Sequence, residues 1–156
     1  MEEFELRSQI LLGEDGTRQF KIELSAEGKM AGELVAFANS GGGRIFVGVA
    51  KDGTIAGLTG DKAGQVGEDI AKIARDSVRP PFSILSRSIP TADGIVVVIE
   101  IPDGPSKPYC DNKGVYWVKN GPDKRRIQSP EELARYQASE IVKWTKVVKD
   151  SGASAD

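Results

Sequence analysis

The chain has 156 residues, with 21 lysines and arginines, 23 aspartates and glutamates, one cysteine and no histidine. The lack of histidine excludes Ser-His-Asp and Cys-His nucleophiles and histidine-based metal sites, and Cys110 alone excludes an internal disulfide or a cysteine-rich zinc site. No apolar run reaches membrane-spanning length and no charged-then-apolar leader opens the chain, so a cytoplasmic protein with no membrane partner is expected.

The length suits one domain, expected over residues 1–149, with a small-residue tail at 150–156 that is too poor in apolar side chains to order itself. Charge is split along the chain. Residues 1–100 carry 11 cations against 15 anions, a balance of −4, and residues 101–149 carry 10 against 6, a balance of +4. A net acidic protein can still bind phosphate through a local patch, and the asymmetry points to the later half.

The opening, Met1 to Gly13, fits a short helix or an edge strand equally well. From Thr17 to Leu24, apolar Phe20, Ile22 and Leu24 alternate with Gln19, Lys21 and Glu23, the period of a half-buried strand with the polar set facing outward. Ser25 is placed to cap a helix over 26–39, whose Met30, Leu34, Phe37 and Ala38 share one face. The stretch Val35 to Gly57 organises the rest: helix end, the triplet Gly41-Gly42-Gly43, a buried strand Arg44 to Val49, and a turn at Lys51-Asp52-Gly53. Asn39 and Gly41 read as the helix cap. The further glycines imply a backbone approached closely by another segment or by a ligand, with close packing the default reading.

Asp61 is placed to cap a helix running through Val78 (61–78) that Pro80-Pro81 stops. Phe82 to Ile89 and Gly94 to Ile101 follow as strands; Ile95 to Ile99 is apolar throughout and predicts a central one. Tyr109-Cys110 and Val115 to Val118 are expected to pair across Asn112-Lys113-Gly114. A final helix over 130–148 has Ser129, Pro130 and Glu132 as a capping box. The fold class is α+β: a mixed, mainly antiparallel sheet carrying helices 26–39, 61–78 and 130–148.

The glycine triplet does not make a nucleotide site. It follows a helix, whose carbonyl end repels anions, and no Gly-x-x-x-x-Gly-Lys-Ser/Thr or Gly-x-Gly-x-x-Gly occurs. The basic run Lys119 to Arg126 reads as a loop beside Tyr116 and Trp117, with Lys107, Tyr109 and Lys113 upstream. Cations next to aromatic platforms suit a polynucleotide backbone, and a solvated loop over a core strand is the even alternative. Glu14, Glu23 and Asp52 are acids that could hold Mg²⁺ or Mn²⁺ for phosphodiester hydrolysis, although surface acids are the default.

In their order, Glu14, Gln19-Phe20-Lys21, Ala36 to Gly42, Gly48-Val49, Asp52-Gly53, Gly57, Ile99 to Pro102, Lys107 to Tyr109 and Val115 to Gly121 resemble the divergent AlbA, Schlafen-type DNA-binding domain over roughly residues 10–136. The resemblance implies DNA or RNA binding. It also implies a setting at the N-terminus of a transcriptional regulator or RecG-helicase-related protein, or a free-standing relative. Some Schlafen proteins cleave RNA with three carboxylates. The first would fall on Glu14 and the third near Asp52, but the second falls on Gln19, an amide that brings no charge. Lys119 stands where the family usually has arginine, which keeps charge and loses the bidentate fork.

The expected function is therefore a nucleic-acid-binding module without catalysis or cofactor. Lys21, Lys107, Tyr109, Lys119, Lys124, Arg125 and Arg126 would be at the interface, and Asn39, Gly41, Gly42, Gly48 and Gly57 would shape the fold. The competing readings are a metal-dependent nuclease using Glu14 and Asp52, and an assembly domain pairing through strand edges as a homo-oligomer or with further domains of a longer parent.

Overall fold

Residues 1–139 are described by the structure, a computed structural model, and divide into two compact units, Met1–Arg126 and a second that begins at Ile127. The first contains α1 (Glu3–Leu11), β1 (Arg18–Lys21), α2 (Glu27–Asn39), β2 (Gly43–Val47), α3 (Gly60–Asp76), β3 (Val78–Arg79), β4 (Leu85–Thr91), β5 (Gly94–Ile101), β6 (Cys110–Asp111), β7 (Trp117–Asn120) and β8 (Asp123–Arg126). The class is the expected one. Its main sheet runs β1-β2-β5-β4, with β1 parallel to β2 and the other pairs antiparallel.

β5 is apolar from Ile95 to Ile99 because the sheet is covered on both faces there. Val97, Ile99 and Ile101 join Ile45 and Val47 beneath α2 and α3, while Val96 and Val98 join Phe20, Phe46 and Val49 against Leu6 and Ile10 of α1. Full burial of such a side chain stabilises by about 1.5–3 kcal/mol, so the sheet holds three layers together. The opening segment is thus a helix. It resisted assignment because Leu6 and Ile10 are buried while Phe4, Leu11 and Leu12 are exposed, leaving no clean apolar stripe.

α2 is buried continuously from Met30 to Asn39, far more than one stripe, because β7 covers the side turned away from the sheet. Ser25 does not cap it. Ala26 is the N-cap residue, and the Ser25 hydroxyl accepts from Lys21 Nζ at 2.7 Å. α3 is capped by Thr59, whose Oγ1 accepts from the Lys62 amide at 3.3 Å, not by Asp61.

Beyond Ile101 the strand pairings differ from expectation. β6 pairs with β3, and β7 pairs with β8 to form a hairpin turned at Gly121-Pro122. The turn after Asp111 does form, with Asp111 N donating to Val115 O at 3.0 Å. However, the Asp111 carboxylate takes the Lys113 and Val115 amides and Trp117 Nε1, so the segment closes on a side chain instead of extending a ladder. The run 123–126, expected as loop, is strand β8.

In the second unit a helix runs from 130 as far as 139. Ser129 Oγ accepts from the Glu132 amide at 3.1 Å, and the Glu132 carboxylate accepts from the Gln128 amide at 2.8 Å, a reciprocal cap displaced by one residue from the simplest box. The remainder of the helix expected to 148, and the expected tail, lie outside the described residues.

Candidate functional site

Two glycines of the triplet, Gly42 and Gly43, are approached closely by the chain itself, while the space around Gly41 is open. Gly42 has φ +81°, and a Cβ there would meet Ile101 O at 2.6 Å and Asp103 N at 2.7 Å. At Gly43 a Cβ would meet the Phe37 ring at 2.6 Å. Backbone and core fill the space on both sides, so the closely approaching partner is the chain itself. Just before the triplet, the buried Asn39 amide clips two later segments to α2. Its Nδ2 donates to Tyr109 O (3.0 Å) and Trp117 O (2.8 Å), and its Oδ1 accepts from Tyr109 N (2.7 Å). These bonds tie the start of the β7–β8 hairpin to α2.

That hairpin lies over α2. The Lys119 ammonium sits 4.3 Å from the Phe37 ring centre and donates to Pro122 O at 2.8 Å; the Lys124 ammonium lies 5.2 Å from the Trp117 ring. Gly32 allows this approach, since a Cβ there would stand 3.0 Å from Lys124 Cε and 3.1 Å from Trp117 Nε1.

Between β1, α2 and the hairpin opens a cleft of about 490 Å³ lined by Lys21, Lys29, Lys51, Lys119 and Lys124, with Glu14, Glu33 and Asp123, a balance of five cations against three anions. Gln19 and Lys21 reach it because they lie on the α2 side of β1, in register with Ile45 and Val47, while Phe20 points to the α1 layer. Their face is therefore covered by α2, not outward to solvent as the alternation alone suggested.

At the bottom Glu33, its side chain 5% exposed, pairs with Lys21 Nζ at 3.1 Å and accepts from Gln19 Nε2 at 3.2 Å. Burial pulls the Lys119 and Lys124 ammoniums below the ordinary lysine value, and Glu33 and Asp123 oppose that shift.

Of the residues expected at the interface, Lys21, Lys119 and Lys124 meet here. β8 alternation puts Arg126 with Trp117, on the strand side of Lys124, and Arg125 with Val118 on the other. Lys107 lies elsewhere, its side chain 5% exposed and ion-paired to Asp103. Tyr109 is 1% exposed, edge-on to Phe82, with its hydroxyl accepting from the Ser106 amide; the ring presents no face for a base.

The acids of the nuclease alternative do not gather. Glu14 lines the cleft and accepts from the Phe20 amide at 2.9 Å. Asp52, outside the lining, accepts from the Thr54 amide at 2.9 Å, which holds its carboxyl below the usual range, and Glu23 lines a different groove. Among the described residues no group of three acid, histidine or cysteine side chains is arranged to hold a metal ion.

Sequence reading missed Lys29, Lys51 and Glu33, which are isolated in the chain. The available signal for Glu33 was an acid set amid the apolar residues Met30, Leu34 and Phe37 of one helix.

No curated protein matches the chain. Among solved structures it is similar to the DIP2311 protein from Corynebacterium diphtheriae, at 18% sequence identity and a TM-score of 0.57, a likeness of fold. The match covers 83% of this chain and 30% of that one, so the chain spans under a third of that protein's length. Among the described residues no helix is long and apolar enough to cross a membrane. Residues 14–128, which take in β1, the glycine-terminated α2, the whole sheet and the lysine-bearing hairpin, match the family model described as Schlafen, AlbA_2, and the chain belongs to that family.

Proposed function

We propose that the chain is a nucleic-acid-binding module that holds the phosphate backbone of DNA or RNA across the cleft between β1, α2 and the β7–β8 hairpin, without catalysing a reaction. The observation that carries the proposal is the convergence of Lys21, Lys29, Lys51, Lys119 and Lys124 on one concavity in a chain of net charge −2. Buried counter-charge from Glu33 anchors Lys21, so Lys29, Lys51, Lys119 and Lys124 are the phosphate-facing cations, with Arg126 extending the track. Gln19 in place of an acid, and the absence of Asp52 from the cleft lining that holds Glu14, support a binding role over hydrolysis. Membership of a family met in longer regulators and RecG-helicase-related proteins supports a role as one module of a larger protein.

The test is a fluorescence-anisotropy titration of the chain against single- and double-stranded DNA and RNA at two salt concentrations. Three or four phosphate contacts predict a log–log salt slope of about −2 to −3 on single strands, at about −0.7 per contact. The Lys119→Ala/Lys124→Ala double variant should weaken binding to all sequences and flatten that slope by about 1.4. Affinity indifferent to salt and to the double variant would overturn the reading. Cleavage with Mg²⁺ or Mn²⁺ that Glu14→Ala abolishes would favour the nuclease, and self-association without polynucleotide binding would favour an assembly domain.

A further inference from the structure

The cleft floor carries a feature that phosphate binding does not use. Gln19 Oε1 and Glu33 Oε2 are both buried with no hydrogen-bond partner among the described residues. The Gln19 amide cannot turn its carbonyl away to remedy this, because its Nε2 is committed to Glu33 Oε1. Two acceptors, one of them charged, are thus left side-chain neighbours at the bottom of a cation-rimmed cleft, where an unmade hydrogen bond is costly. A phosphate cannot satisfy them, since it brings negative charge and acceptor oxygens to a carboxylate. What satisfies them is a group that carries hydrogen-bond donors and no negative charge, and the five lysines around the cleft disfavour a cationic one. The cleft, at about 490 Å³, is within the range that holds a small ligand.

Resting on the phosphate-binding reading above, we propose that Gln19 and Glu33 form a base-recognition subsite that takes an unpaired guanine, while the lysines hold the flanking phosphates. Guanine alone among the common bases presents two adjacent donor groups, N1–H and N2–H₂, on its Watson–Crick edge; adenine, cytosine and uracil each present one donor group there. Two orphaned acceptors therefore select guanine, and a duplex, whose Watson–Crick edges are already engaged, is excluded from the floor. Lys124 is the gate. Its stem crosses α2 at Gly32, and drawing its ammonium off the Trp117 ring onto a phosphate clears the way to Glu33. Glu33 also sets the entry rule, because its charge keeps phosphate at the rim.

The test compares the unaltered chain on single-stranded oligouridylates carrying one central guanosine, inosine or 7-deazaguanosine. Inosine lacks the N2 amino group; 7-deazaguanosine keeps both donors and loses N7. Guanosine and 7-deazaguanosine should bind alike, and about five-fold or more tighter than inosine. Glu33→Gln should bring guanosine and inosine together while tightening the binding of plain oligouridylate, since a negative charge leaves the cleft; a chain merely damaged by the change would lose affinity for all of them. Gln19→Met should likewise narrow the guanosine–inosine gap.

Salt-dependent binding with no guanosine–inosine difference overturns the guanine subsite and leaves the phosphate reading standing. Loss of affinity with 7-deazaguanosine overturns the Watson–Crick geometry. No binding to any oligonucleotide overturns both proposals.

Discussion

A methyl group at Gly42 meets main-chain atoms of Ile101 and Asp103 at 2.6–2.7 Å and must also adopt φ +81°. Neither neighbour is a flexible side chain, so the strain has no easy outlet. Gly42→Ala should lower unfolding free energy by at least about 2 kcal/mol in urea titration, whereas Gly41→Ala, also at positive φ but with open space around its Cβ, should cost about 1 kcal/mol. Equal losses would show that backbone conformation, not crowding, dictates both glycines. Three residues earlier, Asn39→Ala removes three hydrogen bonds and strands buried main-chain groups of Tyr109 and Trp117. It should destabilise by about 2–4 kcal/mol and, because those bonds fix the hairpin, weaken polynucleotide binding in the variant that remains folded. A neutral Asn39→Ala in chemical unfolding would remove the amide clip from the account.

At the scale of elements, the β7–β8 hairpin carries both the chemistry of the cleft and a dependence on pH. Lys119 and Lys124 are shifted below the ordinary 10.5 chiefly by burial, so in the free chain they lose protons earlier than solvated lysines do. A phosphate bound between them favours the charged form and raises those values, so the complex holds more protons than its free components. Affinity is then full at neutral pH and falls as pH rises through the lowered range beneath 10.5, with net proton uptake on binding. The folding term has the opposite sense, because burying a charged lysine is a penalty that deprotonation relieves; stability should not fall across that interval on account of these two groups. Titration calorimetry in buffers of different ionisation enthalpy reads the uptake. An affinity that stays constant as pH rises to 10.5 would mean that the two ammoniums do not touch phosphate.

The hairpin also marks where the sequence stops being legible. α2, α3 and β5 follow from apolar periodicity because each owes its place to buried side chains. Asp-Lys-Arg-Arg in β8 has no apolar member, so its strand character comes from backbone pairing with β7 and leaves no periodic trace. The same is true of the site. Trp117, Lys119 and Lys124 declare themselves as a local cluster, but Lys29, Lys51 and Glu33 join them only through α2 and the turn after β2, contacts that no spacing along the chain encodes.

For the whole molecule, net charge misleads. The chain is acidic overall, yet the cleft between β1, α2 and the hairpin is cationic, because many of its acids are spent on α1, α3 and the turns while five lysines are drawn together from four separate segments. The charge division between the two halves anticipated only part of this, since Lys21, Lys29 and Lys51 come from the acidic half. The short parallel strand β1 ties this concavity to the interior. Within four residues it gives Phe20 to one layer and Gln19 and Lys21 to the other. Sliding it by a single position along β2 would turn the aromatic ring toward the lysines and push an amide or an ammonium into hydrocarbon. Misalignment therefore cannot damage the binding face silently: it forfeits an interior contact in the same stroke, and the energy that orders the hydrophobic layer also proofreads the placement of the groups that meet the ligand.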